Sequence, residues 1–354
     1  MRYTTCLVLA LLALLLATPF HARVEGHEWK TVTGDAFTFT EVRDGVWHAV
    51  GGGSVAAGSN GAVVVNERDV MVVDSHMTPS AARAMLADLA GITDKPVRYL
   101  VNTHFHFDHT HGNEVFGPDV EIVAHEFTYR KVASGDTKRG RGYDGFVGST
   151  PQNVERMKAR LDSLSDEERA PMEQRMAFAM KIYEESEAVE PRAPTLALRK
   201  AVTLFRGGRE IRLLHVGRGH TGGDVIVYLP AEKALISGDL LTAGLPYMGD
   251  AFVPEWVGAL DDVAALDVEV ILPGHGPAYT AVERVEHLQL YLIDLWQQAV
   301  RLYAAGNSAE QAAASIDLTK HAEHFPQIEG PGASRHAVDR LWELFAGGYV
   351  RPAQ

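Results

Sequence analysis

A mixed α+β fold, with sheet packed on helix, is predicted by three features of the sequence. Short apolar runs punctuated by turn residues recur between residues 37 and 73, and again between 202 and 272. An alanine-rich helical stretch at 80–89 separates two such runs, giving a strand–helix–strand order. From residue 282 onward the apolar positions fall at helical spacing. The chain has 354 residues, 46% hydrophobic and 22% charged, which suffices for one large core with an appendage.

The first 22 residues read as a segment outside that core. Arg2 precedes a twelve-residue apolar run at 6–17, with Pro19 and Ala22 behind it. This is the pattern of a signal peptide, and the run is too short to span a bilayer. The expectation is a periplasmic or secreted protein with no membrane span once the segment is removed. Cleavage would also remove Cys6, the single cysteine, leaving no thiolate ligand. A formal charge of −13 argues against nucleic acid or an anionic membrane as the main partner.

The elements follow in order. Strands are predicted at 37–40, 46–50, 61–65 and 70–73, then a helix over 80–89 capped by Thr78 or Ser80. Strands at 97–102 and 120–124 come next. Residues 126–190 differ in character: they are polar and rich in Arg, Glu and Met, with helices predicted at 153–164 and 165–186. Ser165 and Glu168 form a capping-box pattern at the start of the second of these. This segment reads as a helical insertion, either packed at the side or serving as a lid. Strands resume at 202–205, 211–214, 225–229, 234–239 and 268–272, with a helix at 256–266. The main domain is placed at 30–281 and a helical extension at 282–354.

One loop stands out against this frame. His104, His106, Asp108 and His109 occupy four of six consecutive positions, directly after a predicted strand. Imidazoles and a carboxylate suit zinc and related borderline metals. Clustered polar groups with no shared partner would only cost burial energy. His220, Asp239 and His275 each sit in a glycine-flanked turn at a strand end, where the backbone bends sharply enough to aim a side chain inward. Each is a weak signal alone, but together with the first loop they point to a metal centre.

The set HxHxDH, Gly-His-Thr-x-Gly-Asp, Ser-Gly-Asp-Leu-Leu and Pro-Gly-His-Gly-Pro resembles the metallo-β-lactamase superfamily over residues 37–279, the insertion apart. The resemblance implies a four-layer αβ/βα sandwich with two metal ions at one edge of its sheets. By position it implies that His104, His106 and His220 hold one zinc ion. Asp108, His109 and His275 would hold a second, with Asp239 bridging both. The donor types would also accept manganese or iron.

Asp239 separates relatives. True β-lactamases carry cysteine or serine at this place, whereas hydrolases similar to glyoxalase II carry aspartate. The glutathione-binding pattern of the latter's C-terminus is absent here. The expected function is therefore an exported two-zinc hydrolase acting on a small ester, thioester, lactone or lactam. A metal-bridging hydroxide would attack the carbonyl, oriented by Asp108 as a catalytic as well as a ligating group. A β-lactamase is the alternative nearest to this. From another class comes an iron-dependent oxidoreductase, though such diiron enzymes typically carry glutamate where His106 stands. Asp74, at a strand end, is expected to orient a ligand histidine from behind. His111, His125 and His215 are read as non-ligating, and Tyr247 and Trp256 as core packing ahead of pocket lining.

Overall fold

Valine-rich runs with turns between them pair mainly with their sequence neighbours, and the computed structural model, which describes residues 29–347, contains two sheets. The first has eight strands in sequence order: β1 (Lys30–Thr33), β2 (Phe37–Arg43), β3 (Val46–Gly51), β4 (Gly61–Val65), β5 (Val70–Val73), β6 (Val97–Val101), β7 (Glu121–His125) and β8 (Leu196–Leu198). Pairing is antiparallel through β5 and parallel from β5 to β8. The second sheet is ordered β13-β12-β11-β10-β9, from β9 (Ala201–Arg206), β10 (Arg209–Leu214), β11 (Ile226–Leu229), β12 (Ala234–Gly238) and β13 (Val270–Pro273). Only β12 and β13 pair in parallel there.

The central strands are apolar on both faces because each face meets its own layer. In β4, Val63 faces the helix α1 (Pro79–Leu89), packing with Ala81, Met85 and Leu89. Its neighbour Val64 faces the other sheet, with Ile211, Leu213 and Val227. In β11, Val227 and Leu229 point inward, while Ile226 and Tyr228 point out toward the helix at Val253–Ala264. The result is the four-layer αβ/βα sandwich.

The helices in chain order are α1, α2 (Phe107–Thr110), α3 (Glu126–Ala133), α4 (Gly140–Tyr143), α5 (Thr150–Lys158), α6 (Asp166–Ala188), α7 (Val253–Ala264), α8 (Arg284–Ala304), α9 (Ala309–Ser315) and α10 (Arg335–Ala346). Thr78 caps α1, its side chain accepting from Ala81 N. Glu168 closes the capping box on α6, accepting from Ser165 N at 3.0 Å. Helices α3 to α6 lie between β7 and β8, where the polar insertion was expected. The C-terminal helices share a core with the second sheet: Leu288, Leu292, Leu295, Val338 and Leu341 pack with Trp256, Leu260 and Leu235. No described helix is long and apolar enough to cross a membrane. The signal-peptide reading of residues 1–22 lies outside the described residues.

Candidate metal centre

Parallel strands deliver their C-terminal ends to one edge of a sheet, and there the loop after β6 meets the end of β5. Asp74, the first residue past β5, has φ +62°, a left-handed conformation that aspartate tolerates. Its carboxylate accepts from Thr103 N and Thr103 Oγ1, each at 2.8 Å, and from His109 Nδ1 at 2.7 Å. The last contact leaves His109 Nε2 facing the centre, the orienting role expected of Asp74.

The second sheet supplies the remaining groups. His220 lies in the β10–β11 connection, in a turn tied by Asp224, which accepts from Gly219 N at 3.1 Å and Thr221 N at 3.0 Å. Burial pushes the Asp224 carboxyl up to about 7, against the pull of its Thr221 hydrogen bonds. Asp239 and His275 follow the parallel strands β12 and β13. A Cβ on Gly274 would come within 2.1 Å of Asp239 Oδ1, so only glycine admits this approach.

All seven sequence-predicted ligands converge. His104 Nε2 and His220 Nε2 each lie 3.0 Å from His106 Nδ1. Beside this trio, His275 Nε2 is 3.3 Å from Asp108 Oδ2 and 3.2 Å from Asp239 Oδ2. His109 Nε2 is 3.5 Å from both Asp108 Oδ2 and Asp239 Oδ1. Asp239 Oδ2 also reaches to 3.6 Å from His220 Nε2, so this one carboxylate touches both groups. Among the described residues, the sets that could hold an ion are His104–His106–His220, His104–His109–Asp239 and Asp108–His109–His275, each with donor atoms within 4.8 Å of one another.

The residues fit metal. His109 Nε2 and Asp239 Oδ1 are buried without a hydrogen-bond partner and face each other at 3.5 Å, an arrangement that a shared cation would satisfy. Burial pushes His104 well below its ordinary value and His220 down to about 3, holding both rings neutral as ligation requires. His109 and His275 behave oppositely. Burial would lower them too, but Asp108, Asp239 and Asp74 together carry His109 up to about 9. Asp239 and Asp108 likewise raise His275 well above its ordinary value.

Both rings are therefore protonated at neutral pH in the metal-free protein, and metal must displace those protons. Raised values mean that apparent metal affinity increases with pH through the range in which these two rings lose their protons. Zinc binding at pH 7 should release about two protons, read by calorimetry in buffers of different ionisation enthalpy. Heats independent of the buffer would contradict this charge arrangement.

Of two further neighbours, one escaped the sequence reading and the other was ranked second there. Asp250 Oδ2 accepts from His106 Nε2 at 3.1 Å, which turns Nδ1 toward His104 and His220. Tyr247, read as core packing ahead of pocket lining, lies beside the centre with its ring 5.8 Å from His106. Trp256 is buried as expected, donating from Nε1 to Leu240 O at 3.1 Å. His111, His125 and His215 stand outside the three candidate sets, the last two stacked on each other at 4.0 Å.

Comparison with known proteins follows this geometry. The family model described as metallo-beta-lactamase superfamily matches residues 56–275. A linear primary-alkylsulfatase of Pseudomonas sp. is 26% identical over 307 residues, covering 79% of this chain and 54% of that protein. The α subunit of a 2,4-dinitroanisole O-demethylase from Nocardioides sp. is 24% identical over 257 residues, covering 71% of this chain and 60% of its own. The chain thus spans little more than half the length of these curated relatives. Among solved structures, the DIM-1 metallo-beta-lactamase superposes with TM-score 0.50 at 16% identity, over 74% of this chain and 99% of that one, a likeness of fold.

Proposed function

The chain belongs to the metallo-β-lactamase superfamily; on that premise we propose that it is a metal-dependent hydrolase holding two zinc ions, which cleaves a small ester, thioester, lactone or lactam after export. The observation that carries this reading is Asp239, whose carboxylate lies within 3.6 Å of His220 on one side and 3.2 Å of His275 on the other. A cluster with a shared carboxylate between two imidazole groups suits a pair of cations better than one.

Bound there, the metal ions would supply a water of lowered pKa and polarise the attacked carbonyl. The chain's own groups supply the rest. Asp108 extends from α2 with its side chain 15% exposed, so its carboxylate meets both the cluster and the cleft. Burial disfavours its charge, but His109 and His275 hold it below the usual carboxylate range. An ionised Asp108 accepts a hydrogen bond from the attacking water and fixes its direction. Asp74 and Asp250 hold the rings of His109 and His106 from behind.

A second reading, cleavage of a sulfate ester, draws on the alkylsulfatase whose match covers 79% of this chain. One panel separates these readings: aryl ester, acyl thioester, lactone, chromogenic cephalosporin and alkyl sulfate, each offered to zinc-loaded protein. Turnover of the carbonyl esters supports the proposal, and turnover of alkyl sulfate alone replaces it with the second reading. Turnover of the cephalosporin alone would make the chain a β-lactamase despite Asp239. Iron in place of zinc in the purified protein, with the panel silent, would favour an oxidoreductase. Export rests on residues 1–22 and predicts a mature chain that begins near residue 23.

A further inference from the structure

The insertion reaches the candidate centre through one turn of π-helix, Asp144–Gly148. Such turns are rare and concentrate at functional sites, because the widened turn turns a side chain out of helical register. Here the residue in the middle is Phe146, a large apolar ring left 41% exposed. Single exposed rings are ordinary. This one is set apart by what it faces.

Its ring lies 6.5 Å from Phe107 and 6.5 Å from Tyr247. Phe107 stands between the candidate ligands His106 and Asp108 in the chain. Tyr247 is 5.8 Å from His106 and 6.5 Å from His220. Phe146 therefore spans the two walls that flank the centre. The turn is fixed there from both sides. Tyr143 OH donates to Glu187 Oε1 at 2.6 Å, and Tyr143 and Val147 are buried against Phe107. Arg141 Nη1 donates to Gly249 O at 3.0 Å and pairs with Glu343 of α10.

The two arginines bordering this loop are already engaged. Besides the Arg141 pairing, Arg340 donates to Ala251 O at 3.1 Å, with its guanidinium 4.7 Å over the Phe252 ring. Beside the metal ligands stand the rings of Phe146 and Tyr247, with the carboxylates of Asp144 and Asp250 at the margin.

We propose that Phe146 and Tyr247, backed by the buried ring of Phe107, form the subsite for an apolar acyl chain, which makes the substrate an ester or thioester of an aliphatic acid. This rests on the carbonyl-hydrolase reading above. The products of that reaction are alkanoates, so a binding series tests the subsite independently of turnover.

Zinc-loaded protein is titrated calorimetrically with butanoate, hexanoate and octanoate, and assayed on aryl esters of the same acids. In the wild type the Kd should tighten about tenfold or more from butanoate to octanoate, each buried methylene adding to the affinity. Phe146→Ala should reduce that gain to about threefold or less at unchanged zinc content, and Phe146→Leu should retain most of it. A flat wild-type series, or an undiminished gain in Phe146→Ala, overturns the subsite. A chain-length gain that depends on Phe146, with every ester left unhydrolysed, would refute the reaction and uphold the subsite.

Discussion

Asp239→Ala is expected to leave the protein unable to retain its metal ions and to lower kcat/KM by about a thousandfold or more. The size follows from the loss of several kcal/mol of metal-derived stabilisation of the transition state, at tenfold per about 1.4 kcal/mol. Asp239 is the group that reaches both imidazole clusters, 3.2 Å from His275 and 3.6 Å from His220, so its removal affects both at once. The fold itself should survive. The inter-sheet core of Val64, Met71, Leu213 and Val227 lies away from the metal ligands, and the substitution leaves it untouched. Metal content by mass spectrometry and near-ultraviolet circular dichroism check the two halves. Full metal content with full activity would exclude Asp239 from the centre.

Asp74→Asn should weaken metal binding by about ten- to a hundredfold, although Asp74 belongs to none of the three candidate sets. Asparagine keeps the size and tolerates φ +62°, so the change isolates chemistry from backbone strain. The carboxylate receives three hydrogen bonds, from Thr103 N, Thr103 Oγ1 and His109 Nδ1. An amide offers one acceptor and turns its NH2 toward a donor, leaving a buried group unpaired at a cost of about 1–3 kcal/mol. The His109 ring then loses the contact that directs Nε2 into the centre. Zinc titration against a competing chelator, with thermal unfolding of the metal-free form alongside, reads both effects. Unchanged affinity would reduce Asp74 to a loop anchor for Thr103.

What the sequence disclosed follows from where each constraint is written. HxHxDH is local, and its four side chains share one loop, so spacing alone reveals it. His220, Asp239 and His275 were legible because each stands beside glycine, the last two just past a strand, and Gly274 shows the reason in its approach to Asp239 Oδ1. Asp250 left no such trace. It lies 144 residues from His106, in a loop of no regular pattern, and only the assembled fold brings them to 3.1 Å. Tyr247 was ranked as core ahead of pocket for the same reason: an aromatic residue after a strand looks alike whether it faces the core or the metal ligands. Strands buried on both faces announced themselves as apolar runs, but their facing had to come from the structure. The edge strand β8, three residues long, is too short for any periodicity to show.

The contact between Arg340 and the backbone of Ala251 has a consequence for how far the working unit extends. Ala251 is next to Asp250, and Asp250 holds His106, so the chain of contacts runs from the last helix to a metal-ligand candidate in three steps. The matched family residues end at 275, yet this support comes from a side chain sixty-five positions beyond them. Cooperative structural units follow physical contact and disregard homology boundaries. A fragment trimmed to the matched residues would retain every candidate ligand and lose the brace behind one of them. The C-terminal helix thus helps, through Arg340, to hold the loop that carries Asp250.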